Sequence, residues 1–124
     1  MPRAAPSPLA RIRKICLLLP ETTERLSHGA PSFFIRDKIG FVNYMDNHHD
    51  DGRLALWCAC PPGMREGLLK ARPDQYFVPP YVGVRGWIGV RLDRGPDWDA
   101  VERVIRDAYL VVAPRRLAAT VERT

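Results

Sequence analysis

Two pairs of residues put a guanidinium and an indole on the same side of an extended segment: Arg53 with Trp57, and Trp87 with Arg91. Side chains alternate along a strand, so residues four apart share a face. These types suit a polyanion. A guanidinium fork bonds two phosphate oxygens at once, and an indole offers a flat surface on which a base can stack. Arg36 and Lys38 stand at a tight charged connection, and Arg85 stands at the tip of a turn flanked by Gly83 and Gly86. Cations at hairpin tips are placed to meet a phosphate backbone. The expected nucleic-acid contacts are therefore Arg36, Lys38, Arg53, Arg85 and Arg91. A competing arrangement uses the same residues for packing alone, with the indoles beneath a covering element and arginine stems closing over them. A module that binds a small molecule or a protein partner through a pocket at Tyr81 and Trp87 is the other alternative. Pro79-Pro80-Tyr81 is a constrained aromatic corner, and His28, Trp57, Tyr76, Tyr81 and Trp87 are the side chains that could stack on a ligand or wall it in.

Other chemistries find less support. Asn47-His48-His49-Asp50-Asp51 concentrates imidazoles and carboxylates in one polar turn. Adjacent histidines on a turn do not converge on one ion, and no ligand pair at helical spacing stands behind them. No metal and no cofactor is expected. Cys58 and Cys60 lie two apart on the apolar side of a strand and read as small buried hydrophobes. His28 has no nucleophile or orienting carboxylate beside it, and the nucleophile-elbow, phosphate-loop and metalloprotease signatures are absent. No catalytic residue is assigned, and catalysis ranks below both binding readings. Without a helix-turn-helix, zinc-finger or RNA-binding aromatic motif, sequence-specific reading of the major groove is not expected.

Length and charge bound the rest. A chain of 124 residues fits one domain with a core of its own. The net charge of +5 is carried almost wholly by arginine, with lysine only at 14, 38 and 70, and it favours polyanionic partners weakly. Three cysteines without a framework spacing point to a reducing compartment, taken as the cytoplasm. No apolar run is long enough for a membrane span. The first residues lack the apolar core of a signal peptide and read as a disordered lead-in over 1–6, ahead of one domain over 7–117 and a tail over 118–124. A monomer is the expected state.

The elements that position these side chains follow from periodicity. Ser7 and Pro8 start a helix with an apolar stripe of Leu9, Ile12, Cys16 and Leu19, which Pro20 stops. Short β segments follow over 22–26, 32–35, 39–45 and 53–60, joined by turns, and short connections mean antiparallel pairing. A helix is expected over 64–71. Next come a short strand at 76–78, the Pro79-Pro80 corner, and a strand over 87–92 in which Ile88, Val90 and Leu92 oppose Trp87, Gly89 and Arg91. Asp97 caps a last long helix that Pro114 breaks, with one further turn after it. The order gives an α+β protein, an antiparallel sheet with helices packed on one face.

Several of these landmarks resemble one family. The helix ending at Pro20, the SHGAPSF run over 27–33, Lys38-Ile39, the FVPPYVGVRGWIGVRLD block over 77–93, Trp98, and the Ala108-Tyr109 and Ala113-Pro114-Arg115-Arg116-Leu117 ending are similar to the MmcQ/YjbR family. The resemblance runs from Leu9 to Leu117. It implies a CyaY-like (frataxin-like) sandwich and a DNA-binding protein, through the family's likeness to a double-wing motif of a phage transcription factor. The acidic ridge of a frataxin first helix is missing, since Arg11, Arg13 and Lys14 make this helix basic. The resemblance carries no catalytic residue with it.

Overall fold

The computed structural model describes residues 7–122; the expected lead-in over 1–6 and the last two residues lie outside the described residues. Helix α1 (Pro8–Leu17) begins where the sequence requires, with the Ser7 hydroxyl accepting from the Ala10 amide at 3.1 Å and proline at the first helical position. It ends three residues ahead of Pro20. Strands β1 (Thr22–Ser27), β2 (Ala30–Ile35), β3 (Ile39–Asp46) and β4 (Leu54–Cys58) form a meander. After them come α2 (Met64–Ala71), the short β5 (Tyr76–Phe77), β6 (Ile88–Arg91), α3 (Trp98–Val112) and α4 (Arg115–Glu122). The stretch after 117, expected to be a tail, is thus helical as far as Glu122. Leu117 and Val121, one helical turn apart, are both buried, and α4 packs on α3.

All six strands pair antiparallel in the order β1-β2-β3-β4-β6-β5. Register sorts the side chains into two layers. Glu24, Phe33, Val42, Cys58 and Ile88 align across five strands, and Arg13 of α1 reaches Glu24 at 2.8 Å, so this row faces the helices. Arg25, Ser32, Asn43, Trp57, Gly89 and Phe77 make the adjacent row, on the opposite face. A register shift between Phe33 and Phe34 leaves Phe41 without a partner on β2; its buried ring meets Tyr109 of α3 edge-on, with centroids 5.5 Å apart. The core lies between sheet and helices, built on Ile12, Phe33, Phe41, Leu56, Ile88, Val90, Ile105 and Tyr109. The expected α+β architecture, with helices on one face, is the one observed.

The sheet face opposite the helices

Two loops reach over this second face. One is the β3–β4 connection, whose 3-10 turn His48–Asp50 sets the His48 ring against Trp57 at 4.9 Å between centroids. The other is the corner after β5, which brings the Tyr81 ring to 6.1 Å from His48 and 6.3 Å from His49. Trp57 is left only 4 % exposed beneath them. Trp87, which continues the alternation of Gly89 and Arg91, is 6 % exposed, with the Arg85 guanidinium 5.2 Å from its ring centroid. The two indoles expected as open stacking surfaces are therefore buried. Trp57 lies under loops rather than a helix, and an arginine closes over Trp87.

Tyr76 is corrected in the same way. Its register partner is Val90, on the helix side, and at 7 % exposed it belongs to the core. His28 is exposed at the β1–β2 turn, in a left-handed backbone conformation with φ 51°, away from the aromatic cluster. Tyr81 is 68 % exposed, and of the expected stacking or pocket residues it is the one whose ring lies open beside that cluster.

The five expected cations divide by their partners. Arg91 is held by Asp93 through two hydrogen bonds, Nε at 3.0 Å and Nη2 at 2.9 Å. These bonds keep the Asp93 carboxyl below its ordinary range. Arg36 donates Nε to Glu21 at 2.9 Å. A guanidinium already matched to a carboxylate adds little net positive field. Arg53 and Arg85 are placed differently: each lies over a ring, Arg53 over Phe77 at 4.1 Å and Arg85 over Trp87 at 5.2 Å. Neither has a carboxylate in ion-pair contact among the described residues, and the same is true of Lys38, exposed at the β2–β3 tip. Arg25, which the sequence did not single out, lies over Phe34 at 3.8 Å and pairs with Asp37 at 2.9 Å. Phe34 and Phe77 are the floor of these stacks. Gly40 lies against the Phe34 ring, where a Cβ would be a tight fit, and Gly89 lies beneath the Phe77 ring, where a Cβ would collide.

The cysteines and histidines take packing roles. Cys16 and Cys58 are fully buried, Cys60 is half-buried, and all three are free. Burial raises the Cys58 thiol pKa well above its ordinary value. His48 and His49 touch ring to ring at 4.0 Å, and burial, with the neighbouring imidazole adding to it, lowers the His48 pKa. Among the described residues no group of three or more His, Cys, Asp or Glu side chains converges on a metal position.

Concavities lie elsewhere. A groove of about 580 Å³ runs between α1, α3 and α4, with Arg11, Lys14, Leu18, Trp98 and Glu102 on its walls. A smaller hollow of about 210 Å³ by the start of α2 is lined by Cys60, Pro62, Arg65, Glu66, Arg85 and Gly86. Neither is lined by Tyr81 or Trp87, so the expected pocket at that corner is not one of these hollows. No described helix is long and apolar enough to cross a membrane.

Comparison with known proteins agrees with this architecture. A model of the YjbR family matches residues 17–111. The crystal structure of the Deinococcus radiodurans protein DR2400, which carries a DUF419 domain, superposes with a TM-score of 0.70 over 90 % of this chain and 85 % of that one, at 19 % identity. No curated protein matches the chain.

Proposed function

This chain belongs to the YjbR family, and from that premise and the geometry of its helix-free sheet face we propose that it is a non-catalytic DNA-binding protein. What carries the reading is the placement of Arg53 and Arg85, each laid over an aromatic ring without a carboxylate partner among the described residues. A guanidinium stacked on a ring loses rotamer freedom, while the N–H groups in its plane still point outward, ready for two phosphate oxygens. Lys38 adds a point charge at the β2–β3 tip. Arg36 and Arg91 take a lesser part, because their carboxylate partners already satisfy them. Contact through phosphates and sheet-face rings is independent of base sequence.

The test is fluorescence anisotropy of a labelled duplex at several salt concentrations, on the parent protein and on Lys38→Ala/Arg53→Ala/Arg85→Ala. Each phosphate contact contributes about 0.9 to the slope of log affinity against log salt, so the triple variant should lose roughly 2–3 from that slope. Absence of binding at low salt, or an unchanged slope, overturns the proposal.

A second reading rests on the groove between α1, α3 and α4. Its volume of about 580 Å³ lies in the range of small-ligand sites, and Arg11 and Lys14 beside Leu18 suit an apolar body carrying an anionic group.

A further inference from the structure

Two polar atoms beneath the loops have no hydrogen-bond partner among the described residues: the indole Nε1 of Trp57 and Nε2 of His48. A buried ring nitrogen left unpaired is unfavourable and uncommon in folded proteins. Here two such atoms belong to rings in edge contact.

The covering turn is strained and loosely held. Its backbone is left-handed at Asn47, His49 and Asp50, a region that residues with a Cβ enter sparingly. Among the described residues its hydrogen bonds stay within the turn and its foot. Asn47 N donates to Arg53 O at 2.7 Å, Gly52 N to Asn47 Oδ1 at 2.8 Å, and Arg53 N to Asp51 Oδ1 at 2.9 Å. The turn meets Trp57 and Tyr81 through ring contacts alone. The opposite wall is braced: Arg65 donates Nη1 to the carbonyls of Gly83 at 2.7 Å and Trp87 at 3.1 Å. Tyr81, a bulky residue at φ +63°, stands at the lip of this wall.

We propose that Trp57 and Tyr81 form a stacking subsite for an unpaired base of single-stranded DNA, covered in this conformation by the turn over 47–52, whose His48 ring lies on Trp57. The proposal rests on the sheet-face reading above and names its substrate class. Displacing the turn breaks its ring contacts with Trp57 and Tyr81, and the hydrogen bonds that resist it are those of its foot to Arg53. It would uncover an indole face for stacking and free the indole nitrogen for a base edge. The indole N–H is a donor only, so it would meet an acceptor on that edge. Arg53, the residue just before β4, would be within reach of the adjoining phosphates. A duplex keeps its bases stacked and paired, and cannot enter without first unpairing.

The experiment compares labelled oligothymidine with a duplex of equal length at matched salt, in a Trp87→Phe/Trp98→Phe background where Trp57 is the one remaining tryptophan. Oligothymidine should bind roughly tenfold tighter, with Trp57 emission quenched in step. Tyr81→Ala should weaken single-strand binding by about the same factor while leaving the salt slope intact, since no phosphate contact is removed. His48→Ala, at a partly exposed position, should increase quenching of Trp57 by acrylamide. Equal affinity for the two forms, together with a silent Tyr81→Ala, overturns the subsite and leaves the sheet-face reading standing. Failure to bind either nucleic acid overturns both. Unchanged acrylamide quenching in His48→Ala refutes the covering role of the turn.

Discussion

Gly89 is the residue on which the sheet face can be tested most directly. It lies in β6 between Trp57 and Phe77, and the Phe77 ring covers it. A methyl placed there would lie 2.6 Å from Phe77 Cε1 and closer still to Cε2 and Cζ. Relaxed carbon–carbon contact is about 3.5–4.0 Å. The ring must swing away, and the Arg53 guanidinium stacked on it loses its floor. Overpacking of this kind costs about 1–3 kcal/mol. With the ring deleted the sign reverses, because alanine in a strand is favoured over glycine by roughly 0.5–1 kcal/mol. Gly89→Ala is therefore expected to destabilise the parent protein, yet to be neutral or stabilising in a Phe77→Ala background. The two effects together make a coupling of about 1.5–4 kcal/mol. Urea denaturation of the four proteins of the cycle, with folding free energies by linear extrapolation, measures it. The binding titration adds a second readout: folded Gly89→Ala should bind DNA more weakly, since Arg53 is displaced although still present. If Gly89→Ala costs the same in both backgrounds, the Phe77 ring does not rest on Gly89 and the description of this face is wrong.

Two further predictions concern the helix side and the covering turn. Tyr109→Phe keeps a fully buried ring but loses the hydroxyl that donates to Pro20 O at 2.8 Å, so it should lower stability by about 1 kcal/mol, seen as a shifted urea midpoint with an unchanged slope. A loss below a few tenths would mean that the bond does not pin the α1–β1 link to α3. His48 should make stability depend on pH. Burial holds its native pKa below the unfolded value, so the unfolded chain binds the proton first and stability declines as pH falls from near 6.5 through the native pKa. His48→Phe should flatten that part of the stability–pH curve, and an unaltered slope would show that the imidazole is not desolvated in the fold.

The sheet was legible because strand alternation is written directly in residue order. Ile88, Val90 and Leu92 against Gly89 and Arg91 define two faces by spacing alone. What covers each face was not legible, since that depends on contacts between distant segments. Alternation puts Trp57 on the polar side, and register confirms that side. Its burial comes from His48 and Tyr81, which belong to two other loops. The histidine turn has the composition of a weak metal motif, but its use in the fold is as an aromatic cover. Other features left signals in the residue order. Asp93 stands two residues after Arg91, the spacing at which strand neighbours share a face, and the two are ion-paired. Leu117 and Val121 stand four apart, the spacing of a buried helical stripe, and they anchor α4. Arg25 left no such signal. Its place over Phe34 depends on the pairing of β1 with β2, which lone-strand propensity does not supply.

Net charge alone does not say which arginines are open to a polyanion. Arg13, Arg25, Arg36, Arg72 and Arg91 each lie within 3.2 Å of a carboxylate oxygen, so five of the 19 lysines and arginines are neutralised locally. At more than a Debye length, about 10 Å in ordinary buffer, such pairs act as dipoles rather than as charges. A phosphate backbone approaching the sheet face meets Lys38, Arg53 and Arg85 as cations, while Arg25 and Arg91 arrive already bound to Asp37 and Asp93. Two arginines can therefore rest on the same kind of aromatic floor and still differ in what they offer. Arg25 and Arg53 both stack on phenylalanine, but only Arg25 shares its guanidinium with a neighbouring carboxylate among the described residues. For this protein the partner of each arginine, rather than the number of arginines, decides which of them can hold a phosphate.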